Sequence, residues 1–219
     1  MHTFYTYITG PLLWFSIILF FTGSLIRIIS LLVLTIKKER FLFSFLSIKY
    51  ALRSMSHWIV PFWPITTRKR PFLTITGFIF HISLFVAPLF FISHVVLFYE
   101  AWNLPWIVMS DRISDIFTLA VIGSCLFFLT RRLFVKDIRY ISSVSDFGIL
   151  AIIVLPFITG FWAYHQLPGY SIMHLIHILS GEILIAIIPF TRLNHMIFGI
   201  LTRIYMSSEF GGVKTARDW

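Results

Sequence analysis

Five apolar stretches constrain this chain before anything else does. They cover about 11–35, 72–98, 112–133, 145–164 and 171–202. A helix of roughly 20 residues crosses a hydrocarbon core of about 30 Å, and each stretch is long enough to do so. The expected fold class is therefore an all-α membrane protein with five transmembrane helices, organised as one membrane domain over residues 1–219. Composition agrees: 58% of residues are hydrophobic and only 12% are charged, far fewer charges than a soluble domain of this size carries. No internal repeat or low-complexity tract is evident. The N-terminal residues lack the pattern of a cleaved signal peptide, so the first span is expected to be retained.

The linkers set the expected topology. Residues 36–71 contain Lys37, Lys38, Arg40, Lys49, Arg53, Arg68, Lys69 and Arg70, and the region around 134–144 adds Arg131, Arg132, Lys136 and Arg139. The tail carries Arg203, Lys214 and Arg217. On the other side, residues 1–10 and 165–170 have no Lys or Arg, and the 99–112 region has only Arg112. The positive-inside rule then puts the N-terminus outside and the C-terminus in the cytoplasm, as expected for a multi-pass protein of the cell inner membrane. The net charge of +9 follows from this one-sided distribution and needs no nucleic-acid partner. Residues 41–63 are aromatic and apolar but interrupted by Lys49, Arg53 and His57, which fits an interfacial segment along the cytoplasmic headgroups. Trp102 and Trp106 fit an aromatic belt on the outer side.

Four histidines fall inside the apolar stretches. His81 and His94 share the second, and His177 and His195 the fifth. An intramembrane histidine is costly unless a metal, a hydrogen bond or a water-lined cavity holds it. Two histidines on each of two antiparallel helices is the arrangement that bis-histidine haem ligation requires. His177 and His195 are eighteen residues apart, five whole turns of one helix, so both would lie on one face roughly 27 Å apart. His81 and His94 are thirteen residues, or roughly 20 Å, apart. Opposite running directions put His94 at the outer level with His177 and His81 at the cytoplasmic level with His195. An ideal helix would leave His81 and His94 about 140° apart, a mismatch that a kink at the intervening Pro88 would have to absorb. His174 is the rival ligand to His177, but its direction is about 60° off that of His195. His2, His57 and His165 lie outside the spans and read as ordinary interfacial residues. Cys125 is the single cysteine, which excludes a disulfide framework, a four-Cys zinc site, a Cys-ligated iron–sulfur cluster and covalent c-type haem. The expected cofactors are two non-covalent haem b groups.

Other polar residues in the spans have two readings each. Glu182 is either a structural partner for another helix or part of a proton relay near a quinone or a haem. Arg27 either snorkels to the inner face or contacts a haem propionate. Arg192, three residues before His195, is the better propionate candidate, because a guanidinium fork matches a carboxylate. Gly23, Gly77, Gly123, Gly160 and Gly181 either admit a flat macrocycle or allow close helix packing.

Several runs carry a family resemblance. Span two reads FHISLFVAPLFFISH followed by YEAW, Arg131 opens RRLF, span four begins SDFGILAIIVLPFITG, and span five reads IHILSGEILIAIIPFTRLNH. From about residue 75 to 205 the chain resembles the gamma-subunit family of respiratory nitrate reductase, a five-helix dihaem cytochrome b. The resemblance implies that His81, His94, His177 and His195 are the axial ligands. The span-two histidines are further apart than in nitrate reductase, the 36–71 loop is longer, and a basic residue of the quinone pocket has only Arg112 as a loose counterpart. These departures resemble the branch found in transmembrane redox complexes of sulfate-reducing bacteria. There a similar subunit works with periplasmic multihaem cytochromes c and cytoplasmic iron–sulfur proteins. The implied function is electron transfer across the membrane within an anaerobic respiratory oxidoreductase complex. Menaquinone exchange near the outer haem would involve His94, Trp106, Arg112 and Glu182. Two rivals remain from other classes: a membrane enzyme with a non-haem metal, which needs clustered histidines at one face, and an anchor or transporter without haem.

Overall fold

The computed structural model describes residues 2–214, and among these the chain is helical with no strand. Arg217 lies outside the described residues, as does the side chain of His2. Five helices are long and apolar enough to cross a membrane: Thr3–Lys38, Pro71–Phe90, Asp111–Phe134, Val144–Tyr164 and Tyr170–Phe190. They are called spans one to five below. The protein is therefore a multi-pass membrane protein of helical class. The chain forms two compact units, one from the segment up to Thr74 together with Glu182 onward, the other from Ile75–Gly181.

In the first unit, span one starts through a π-type turn at Ile8–Leu12 that accommodates Pro11. It ends at Lys37 and Lys38, whose charges complement the negative end of the helix dipole. Its buried residues are small: Ser16, Gly23 and Ser24. A Cβ at Gly23 would stand 2.8 Å from Phe190 and 2.9 Å from Pro189, so glycine is what lets the end of span five pack here. The helix Ile48–Ile59 packs against the helix His195–Ser207 and the turn Ser208–Val213. The Tyr50 ring lies on Gly211 and Gly212, and the Ser47 amide donates to Ser208 Oγ at 3.0 Å. The expected interfacial segment thus contains a short amphipathic helix, but an inverted one. Ile48, Leu52 and Ile59 are 81%, 66% and 65% exposed, while Ser54 and His57 are buried. Apolar out and polar in is the pattern of a helix lying in lipid.

In the second unit, spans three and four pack side by side. Span three turns a face of small residues inward, with Ser114, Thr118, Val121, Ser124 and Cys125 buried. Span four opens on a capping box: Ser143 donates to the Asp146 carboxylate from both its amide and its hydroxyl, at 2.8 and 2.9 Å. Arg132 reaches that carboxylate at 3.7 Å and the Ser142 hydroxyl at 3.2 Å, joining the ends of the two spans.

Two expected helices are broken. The stretch 72–98 is not one kinked helix. Pro71–Phe90 ends at Phe91, whose backbone is extended at ψ 137, and a new helix runs over Ile92–Trp102. The ideal-helix angle of about 140° between His81 and His94 therefore does not apply. The stretch 171–202 is broken as well. Span five is α-helical over Tyr170–Ile187 and tightens to a 3₁₀ turn at Ile188–Phe190. Thr191 is extended, a second 3₁₀ turn covers Arg192–Asn194, and His195 opens the last helix. Pro189 cannot donate a backbone bond, and the Thr191 hydroxyl accepts from the Leu193 amide at 3.3 Å while donating to the Ile187 carbonyl at 3.0 Å. The five-turn relation between His177 and His195 thus fails as an argument, since no single helix carries both.

Candidate functional site

The second unit brings two of the four histidines together. His94 and His177 face each other with ring centres 5.9 Å apart and planes only 10° from parallel. Each ring is held from behind. His177 Nδ1 donates to the Pro156 carbonyl of span four at 2.8 Å. Its imidazole lies against Gly160, where a Cβ would stand 2.8 Å from both Cε1 and Nδ1. His94 sits just past the break at Phe91, parallel to the Phe91 ring (6.3 Å, 5°), with Nδ1 at a long 3.5 Å from the Ala87 carbonyl. A proton on Nδ1 leaves the lone pair on Nε2, the tautomer of a metal-binding imidazole whose other nitrogen is tied to a carbonyl. A metal–imidazole bond is about 2 Å and a ring centre lies roughly 1 Å beyond its nitrogen, so two rings sharing one metal have centres roughly 6 Å apart. The His94–His177 separation fits that requirement. The break at Phe91 matters here, because it frees the direction of His94 from that of the helix bearing His81.

His81 and His195 show the same local device. His81 Nδ1 donates to the Gly77 carbonyl at 2.7 Å, and His195 Nδ1 to the Arg192 carbonyl at 2.8 Å. His81 stands edge-on to Phe80, which meets Phe128 edge-on in turn. His81 belongs to the second unit and His195 to the first. All four expected ligands therefore carry a backbone acceptor on Nδ1. His165 differs: its Nε2 bonds the Asp115 carboxylate at 2.9 Å, next to Tyr164 donating to Asp111 at 2.6 Å. His165 thus ties span four to span three. His57 is buried with its ring on Trp63 at 4.7 Å, no ordinary interfacial residue. His174 is exposed on span five, one turn before the ring that meets His94.

The residues expected around a quinone are more scattered. Trp106 lies against Phe90 at 6.3 Å and is exposed, and Arg112 is exposed in the first turn of span three. Glu182 falls in the other unit, is only 3% exposed, and neither carboxylate oxygen meets a hydrogen-bond partner among the described residues. Arg192 is exposed in the turn before His195, and Arg27 is exposed on span one. Among the described residues no three or more His, Cys, Asp or Glu side chains gather as a metal cluster.

Compared with known proteins, the chain is 32% identical over 211 residues to an uncharacterised protein of Nitratidesulfovibrio vulgaris, covering 94% of this chain and 93% of that one. The chain belongs to that protein's family. The match runs nearly end to end in both members. No protein-family model matches the chain, and no solved structure matches it.

Sequence reasoning missed the bed beneath His177. Pro156 and Gly160 are four residues apart on span four, one helical turn, so the carbonyl and the bare Cα share a face. The signal available was a Pro-x-x-x-Gly step in an apolar span, which acquires meaning only once a histidine from another span is known to face it. Gly160 was open to two readings, room for a macrocycle or for a helix; it makes room for the His177 imidazole instead.

Proposed function

We propose that this protein is the dihaem cytochrome b subunit of a membrane redox complex. The observation that carries the reading is the His94–His177 pair: parallel rings, 5.9 Å between centres, and backbone carbonyls on both Nδ1 atoms. Leaving a buried imidazole N–H without a partner would cost about 1–3 kcal/mol, so the carbonyl of Pro156 both removes that cost and fixes the tautomer. Two imidazoles at this separation would suit a non-covalent haem b, which His94 and His177 would hold. His81 and His195, with the same tautomer, are the second pair in this reading.

The group itself supplies one-electron redox chemistry when bound. The chain's residues do the rest. His94 and His177 would hold the group, and Gly160 and Pro156 position the His177 ring for it. With the N-terminus outside and the C-terminus in the cytoplasm, as the basic linkers imply, His94/His177 is the outer site and His81/His195 the inner one in a cell inner membrane. Electrons then cross between an outer donor or acceptor, a menaquinone pool or a periplasmic multihaem cytochrome c, and cytoplasmic iron–sulfur subunits docked on the basic inner face. The buried, unpartnered carboxyl of Glu182 supports quinol exchange, since it offers an acceptor for a quinol hydroxyl.

The experiment is a dithionite-reduced visible spectrum with a pyridine haemochrome count on natively purified protein. Two haems b per chain are expected. Absence of b-type absorption overturns the reading in favour of a haem-free anchor or transporter, and a count of one removes the transmembrane relay.

A further inference from the structure

The helix Ile48–Ile59 exposes Ile48, Leu52 and Ile59 yet buries the polar side chains of Ser54 and His57. Ser54 is 0% and His57 5% exposed, three residues apart on one face. The Ser54 hydroxyl is buried without a hydrogen-bond partner among the described residues. A buried hydroxyl without a bond costs about 1–3 kcal/mol, a loss that selection removes easily by Ser→Ala unless a ligand takes the bond. The opposing surface is the helix His195–Ser207, which packs on this one. A Cβ at Gly199 would stand 3.7 Å from Trp58, so Gly199 faces the helix Ile48–Ile59, and Arg203 follows it by four residues, one turn along. Arg203 carries a buried Nε, and burial holds its guanidinium below the usual pKa, the mark of a desolvated cation. Arg203 lies eight residues, or roughly 12 Å, beyond His195 along the helix.

We infer that Ser54, His57 and Arg203 seat the carboxylate tails of the haem ligated by His195. This rests on the haem reading proposed above, and it replaces Arg192 as the principal propionate partner. A guanidinium fork matches a carboxylate in two parallel hydrogen bonds, and a hydroxyl and an imidazole N–H add donors for the second one. The seat lies C-terminal to His195, toward the basic end of the chain, where carboxylates reach the headgroup level while the macrocycle stays in the apolar layer.

The test is a potentiometric titration of the purified protein in the wild type and in Arg203→Gln, Arg203→Lys and Ser54→Ala, with His195→Ala identifying the inner haem signal. Removing a cation beside a haem disfavours its reduced form. The inner midpoint is therefore expected to fall in Arg203→Gln, to fall less in Arg203→Lys, and to shift in Ser54→Ala, with the outer midpoint unmoved throughout. If Arg203→Gln does not assemble, Ser54→Ala and Arg203→Lys decide. Two haems with unchanged inner midpoints in those variants overturn the inference and leave the haem reading standing. A wild type without haem overturns the reading itself. Loss of a tightly bound phospholipid with both midpoints unmoved assigns the cluster to a headgroup phosphate and also overturns the inference.

Discussion

At the scale of single residues, the account turns on how one imidazole is held. Gly160 exists to leave room for the His177 ring, since a Cβ there would stand 2.8 Å from two ring atoms. Elsewhere in a helix Gly→Ala is favourable by roughly 0.5–1 kcal/mol. Gly160→Ala is therefore expected to keep the fold yet displace His177, and the haemochrome count should drop from two toward one; an unchanged count would show that the ring has another place to go. His177→Ala should remove the outer haem, while His174→Ala should keep both. The reverse result would make His174 the ligand. The pairing of His94 with His177 was legible in the sequence as a matter of depth on two antiparallel stretches. The tautomers were not, because Pro156 and Ala87 carbonyls become acceptors only through packing and through the break at Phe91.

At the scale of elements, the spans were legible and their breaks were not. Length and apolarity are local properties and survive folding, so spans two to five begin one residue before their expected starts, while the first begins earlier, at Thr3 and not at about residue 11. The break at Phe91 lies three residues past Pro88, and the break at Thr191 depends on a side-chain hydroxyl bonding both ways. Neither follows from hydropathy. The sequence of residues 41–63 showed an apolar segment with charges, but the helix Ile48–Ile59 within it and its buried Ser54 and His57 appear only in the structure. Leu52→Glu puts a charge on the lipid-facing side and is expected to lower stability in lipid nanodiscs by about 2 kcal/mol, the order of a lost Leu burial, while leaving haem content unchanged. Thermal unfolding followed at the haem band measures it, and an unaltered midpoint would mean the face is in water. The final turn Ser208–Val213 is fastened by Glu209, which accepts from Lys214 at 2.9 Å and from Tyr205 at 3.1 Å. These bonds, Lys214 first, hold the Glu209 carboxyl below its usual pKa. A lowered carboxylate pKa stabilises above the unfolded value, about 4.3, and the contribution is lost as pH falls through the folded value. Amide exchange in this turn should therefore accelerate below about pH 4 and do so at all pH values in Glu209→Gln.

At the scale of the whole molecule, five helices are long and apolar enough to cross a membrane, and in the proposed reading the basic linkers assign the two ends of the chain to opposite sides. Cysteine labelling in intact cells should mark a residue introduced in 165–170 from outside and one in 36–71 only after permeabilisation; the opposite pattern would invert the assignment of inner and outer haems. The central claim is that His94 and His177 share one iron. The most direct test is low-temperature EPR of the oxidised wild type and of His177→Ala, with the haemochrome count alongside. The account predicts two low-spin bis-imidazole haems in the wild type and the loss of one of them in the variant. Two intact low-spin signals in His177→Ala, or none in the wild type, would contradict it.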